Sequence, residues 1–122
     1  MTQEDKELLL KDLCARLPYG VKCRYSHIQD TINGKIIDIN IFGRVNIDGG
    51  IKDICDIKPY LFPLSSMNLG QRIEYSQTLI IFNETQCSQT SESYDWLNKN
   101  HFDYRGLIEK GLANDATGKN IY

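Results

Sequence analysis

Leu9, Leu10, Leu13, Cys14 and Leu17 recur at helical spacing, which predicts an amphipathic helix over residues 1–17. Thr2 and Asp5 stand at the spacing of a capping box, acids occupy the first turn, and Lys11 and Arg16 follow in the sense that suits the helix dipole. Pro18-Tyr19-Gly20 ends the segment. From Val21 the period changes to two. Val21, Cys23, Tyr25 and His27 alternate with Lys22, Arg24 and Ser26, as in a strand with one face on a core. Asn33-Gly34 predicts a hairpin turn, followed by Ile37, Ile39 and Ile41 on one face and Asp38 and Asn40 on the other. Val45 and Ile47 suggest a third strand, and Asp48-Gly49-Gly50 another turn.

Over Ile51 to Leu64 the apolar spacing predicts a short helical turn and then extended chain, with Pro59 and Pro63 pointing to a sheet edge. Ser65-Ser66 is placed to cap a helix over about Asn68 to Ser76, and Thr78 to Phe82 is a strand candidate or that helix's tail. Asn83 to Ser93 reads as a polar loop, with a helix starting near Ser91. Asp103 is positioned to cap a turn through Leu107 and Ile108. The expected architecture is a single α+β domain over residues 1–122, with no internal repeat. An N-terminal helix (1–17) precedes a mainly β region (21–64), a small antiparallel sheet or half-open SH3-like barrel. A mainly helical region (65–113) and a flexible tail (114–122) complete it.

Composition narrows the function classes. The 122 residues carry 14 Lys and Arg against 16 Asp and Glu, a net charge of −2, so no overall positive field draws the chain to phosphate backbones. The start is charged and acidic where a secretory signal is basic and then apolar, and the longest apolar run, Leu79 to Phe82, is far shorter than the roughly 20 residues of a membrane span. A cytoplasmic protein without membrane contact is expected. Cys14, Cys23, Cys55 and Cys87 form no C-x-x-C pair and read as reduced thiols.

The densest chemistry runs from Tyr94 to Arg105 and contains the only Trp. Tyr94, Trp96, His101, Phe102, Tyr104 and Arg105 are the candidate partner-binding residues, because Trp, Tyr and Arg dominate interface hot spots. Against this stands the commoner role of a single Trp as a core anchor with its N–H satisfied. His101 and Asp103 form an H-x-D pair that could orient an imidazole or supply two metal ligands, and Cys87 with His101 could in principle make a nucleophile and base. Two ligands do not make a metal site, and no nucleophile-elbow, papain-like, P-loop or dinucleotide motif accompanies them. No catalytic residue, metal or cofactor is therefore expected. Lys22, Arg24, Lys35 and Arg44 on the solvent face of the sheet, with Tyr25 or Phe42 for stacking, make nucleic-acid binding the alternative, disfavoured by net charge.

Three stretches resemble a group of small uncharacterised proteins of gut Bacteroides and their phages and mobile elements. These are Leu9 to Val21, Lys58 to Met67, and the run Tyr94-Asp95-Trp96-Leu97-Asn98, His101-Phe102-Asp103-Tyr104-Arg105-Gly106-Leu107-Ile108 and Gly111-Leu112-Ala113. Together they span about half the chain. Asn68-Leu69-Gly70-Gln71-Arg72 departs from the acidic helix-forming stretch expected there. The resemblance implies a bacterial, phage or mobile-element setting and carries no activity. The expected function is a non-enzymatic accessory or protein-interaction domain with an unidentified protein partner.

Overall fold

Helix α1, Gln3–Arg16, begins at the Thr2 N-cap, whose hydroxyl accepts the Asp5 amide while the Asp5 carboxylate accepts the Thr2 amide. A 3-10 turn over Leu17–Tyr19 follows, and Gly20 leaves it at φ 73°, a left-handed conformation that glycine adopts without strain. The structure, a computed structural model, describes residues 2–27, 30–40, 43–47, 50–81 and 87–122.

The sheet is built from β1 (Lys22–His27), β2 (Asp30–Ile39), β3 (Arg44–Ile47), β4 (Gly50–Asp53) and β5 (Ile57–Pro63), in the order β4-β3-β2-β1-β5, all antiparallel. Two short strands, β8 (Phe102–Asp103) and β9 (Asn114–Asp115), pair with β5 in parallel. The result is an open, mostly antiparallel sheet of seven strands among the described residues. After β5 come α2 (Leu69–Ser76), the two-residue pair β6 (Ile80–Ile81) and β7 (Cys87–Ser88), and α3 (Ser91–Lys99). The α+β class read from the sequence is the class observed. Among the described residues no helix is long and apolar enough to cross a membrane.

Local readings are corrected at five places. Asn33-Gly34 makes no turn: it lies inside β2, where Gly34 pairs with Cys23 and the Asn33 side chain accepts the Tyr60 hydroxyl at 2.7 Å. The alternation beyond it breaks at a bulge between Ile36 and Asp38, so Ile36 is buried and Ile37 exposed, a one-residue shift that swaps faces. Pro59 and Pro63 belong to a strand with neighbours. Pro59 sits where pairing with β1 ends, and β9 takes over at Tyr60, so the missing N–H falls at a change of partner.

A further correction concerns residues 114–122. Residues 104–113 fold as turns, with the expected turn through Leu107 and Ile108, while 114–122, expected as a flexible tail, is tied down: the Ala116 amide donates to the Leu61 carbonyl, and the Tyr122 hydroxyl donates to the Tyr60 carbonyl at 2.8 Å. The predicted cap at Ser65-Ser66 lies three residues early. Asn68 and Gln71 form the capping box of α2.

Two apolar clusters result. The larger joins Leu9 and Leu13 of α1 to Val21, Cys23 and Tyr25 of β1, Ile36, Val45, Ile57 and Leu61 of the sheet, and Leu107 and Leu112 of the C-terminal turns. The smaller gathers Met67, Leu97 and Phe102, with Phe62, Tyr75, Trp96 and Tyr104 packed on it. The Tyr94 to Arg105 segment contributes mainly to the smaller one.

Candidate functional site

On α1, Leu9, Asp12, Leu13 and Arg16 all fall on the buried side, so one helix carries an apolar face and an ion pair into the interior together. The Arg16 Nε donates to the Asp12 carboxylate at 2.8 Å, and both side chains are fully buried. Arg105 closes the other side, its Nη1 donating to the second Asp12 oxygen at 2.8 Å. Arg16 Nη2 donates to the Phe102 carbonyl at 2.5 Å. Both guanidinium groups lie near the Tyr104 ring, at 5.4 Å for Arg16 and 4.6 Å for Arg105, and the Tyr104 hydroxyl donates to Asn98. Two arginines on one carboxylate, over one aromatic ring, is the geometry of a rigid clamp joining α1 to the C-terminal segment.

The neighbouring residues are also turned inward. Phe102 is buried and stacks on Trp96, rings 5.6 Å apart and 7° from parallel. Tyr75 of α2 covers Trp96 on another side at 5.5 Å, and the indole N–H reaches the Glu74 carboxylate at 3.4 Å. Trp96 is thus a half-buried anchor between α2, α3 and β8, close to the core reading of a single Trp.

His101 holds φ 61° and is buried against Tyr122, the rings stacked 3.7 Å apart. Burial first, then the positive charges of Arg16 and Lys22, push its pKa down to about 4. Burial likewise holds the Tyr122 phenol above its ordinary range.

His101 and Asp103 do not converge on a common ligand. The Asp103 carboxylate accepts the Leu107 and Ile108 amides, both at 2.9 Å, which is the predicted cap. Asp103→Ala is expected to lower stability by about 1–2 kcal/mol through loss of this cap, read as a lower urea midpoint; an unchanged midpoint would show the turn to be held otherwise. The Cys87 side chain and Phe42 lie outside what is described. Among the described residues no group of three or more His, Cys, Asp or Glu is arranged to hold a metal. Of the six partner-binding candidates, Tyr94 alone is strongly exposed, at 43%, with one side against Tyr104 at 5.3 Å.

Of the four basic candidates, Lys22 and Lys35 are brought together as cross-strand partners, while Arg24 and Arg44 lie outside their depression. Lys22 donates to the Ile121 carbonyl at 2.8 Å and, with Lys35, lines a depression of about 290 Å³. Arg44 stands opposite Asp53, whose carboxyl is held below its usual range chiefly by the Cys55 amide, with Lys6 and Arg44 adding to it. Arg24 lines a separate cleft of about 580 Å³ with Lys52 and Lys58, two cations that the linear pattern did not single out.

Sequence reading also missed the outer face of α2. None of its residues is buried, and Leu69 and Ile73, one turn apart and therefore on one face, are 75% and 51% exposed. The signal was present as an i, i+4 apolar pair, but such a pair ordinarily marks the core side of a helix. Compared with protein-family models, curated proteins and solved structures, the chain matches none.

Proposed function

We propose that this chain is a non-enzymatic accessory domain that binds a protein partner, and that α2 presents the contact surface. The carrying observation is the apolar pair Leu69 and Ile73 on a helix that buries none of its own residues, with exposed Ile80 a few positions beyond its end. The helix is anchored by its capping box and by Tyr75 against Trp96, which leaves the opposite side unused by the fold. A short helix offering i, i+4 anchors is a common way for one protein to enter the groove of another. The aromatic segment then serves as the support that holds α2 in place, and Tyr94 is its exposed contribution. The likeness of the C-terminal third to the small Bacteroides and phage proteins supports a bacterial or mobile-element setting.

Leu69→Glu with Ile73→Glu tests this. As exposed positions they should leave stability within about 0.5 kcal/mol of the parent, while a stoichiometric protein co-purified from a bacterial host with the parent chain is lost. Retention of that partner by the double variant and its loss from Tyr94→Ala would move the surface to α3. Co-purified nucleic acid in place of protein, released by salt, would overturn the reading.

A further inference from the structure

The cleft of about 580 Å³ lies where β1, the connection from β4 to β5, and β9 meet. Arg24 and Lys58 are direct cross-strand partners, both exposed, on the sheet face opposite the core. Like charges so placed repel, and neither side chain, nor Lys52 beside them, is in an ion pair among the described residues. One carboxylate, that of Asp56, lines the same cleft, which leaves a local excess of two positive charges in a chain whose net charge is −2. Asn114 lines the same cleft, and its buried Nδ2 has no hydrogen-bond partner among the described residues.

We infer that this cleft binds a diphosphate-bearing small molecule. Three cations call for acceptor oxygens, and a terminal diphosphate, with about three negative charges at neutral pH, matches them in number. A guanidinium and two ammonium groups suit phosphate oxygens, the first as a planar fork and the others as point charges. The volume exceeds what pyrophosphate alone would fill and falls within the range of small-molecule sites, roughly 300–1,000 Å³. Lys52 reaches the cleft from β4, its Nζ 5.8 Å from the centre of the Tyr25 ring.

The test is calorimetric titration of the full-length protein at low salt with pyrophosphate, with adenosine diphosphate, and with an oligothymidylate. Pyrophosphate and the diphosphate are expected to bind, with affinity falling as salt is raised. Arg24→Gln and Lys58→Gln should each weaken binding about tenfold or more, as expected for loss of a charge-assisted contact. Lys22→Gln and Lys35→Gln, in the neighbouring depression, should leave it unchanged. Because either cleft variant removes a repulsion, each should fold with a urea midpoint equal to or above the parent's, which separates loss of binding from loss of structure. Absence of binding by both diphosphates at millimolar concentration would overturn the inference, as would binding indifferent to Arg24 and Lys58. Oligothymidylate binding that pyrophosphate does not compete would make the cleft part of a nucleic-acid interface instead.

Discussion

Asp12→Ala is expected to lower stability by about 3–5 kcal/mol, the range for removing one partner of a buried ion pair. The carboxylate is fully buried and accepts from two arginines, one of them, Arg16, buried to the same degree. Without it the Arg16 guanidinium keeps the Phe102 carbonyl and the Tyr104 ring, while its Nη1 already has no partner among the described residues. Water cannot readily reach it. Arg105, at 17% side-chain exposure, can turn outward and recover hydration, so most of the cost falls on Arg16.

Asp12→Asn should recover only part of the loss, since an amide accepts from one arginine and turns an N–H toward the other. Urea unfolding of parent, Asp12→Ala, Arg16→Met and the double variant gives the coupling directly. The double variant should be more stable than the sum of the single changes predicts, because it leaves no buried charge behind. A loss under about 1 kcal/mol for Asp12→Ala would mean that the clamp is hydrated in solution.

Lowering the pH from 7 to 4 is expected to cost this protein up to about 3 kcal/mol through His101 alone. Its folded pKa is about 4 against an ordinary value of 6.5, so between these values the unfolded chain takes up a proton that the folded chain refuses. Stability from this source is complete above about pH 6.5, falls as pH drops toward 4, and is constant below. Asp53 and Asp115 act in a lower window: their carboxyls lie below the ordinary 3.8, so their contribution is present above that value and is lost as the pH falls beneath it.

His101→Asn separates the two windows. Asparagine tolerates the left-handed backbone at this position and does not titrate, so the variant should lose the slope between pH 6.5 and 4 and keep the decline below. Imidazole proton resonances give the same answer without mutation. A His101 midpoint near 6.5 would show the ring to be solvated and remove the effect.

Elements governed by neighbours in sequence were legible in it. The Thr2 and Asp5 box, the stop at Gly20, the start of α3 near Ser91 and the Asp103 cap depend on groups within about five residues, and each lies where the pattern put it. Pairings across long separations were less legible. Asn33-Gly34 has the composition of a turn, yet Cys23 and Tyr60 hold it in a strand. Asn114 to Tyr122 has little apolar character of its own and is ordered by Tyr60, Leu61 and His101, residues far from it along the chain.

The candidate site divides in the same way. The Tyr94 to Arg105 cluster could be recognised from residue types, but hot-spot and core residues share a chemistry, and only the folded chain decides between them. Trp96 stacked on Phe102, and Tyr104 flanked by Arg16 and Arg105, assign most of the cluster to the interior. Arg24 opposite Lys58 is a matter of the register between β1 and β5, two strands far apart along the chain, which neither strand encodes by itself. By itself the sequence determined the α+β class, the first helix and the local caps, because short-range hydrogen bonds and apolar periodicity suffice for them. Tertiary structure alone decided which charges are buried, which helix face is left in solvent and which cations share a cleft, because burial and proximity depend on residues far apart in the chain.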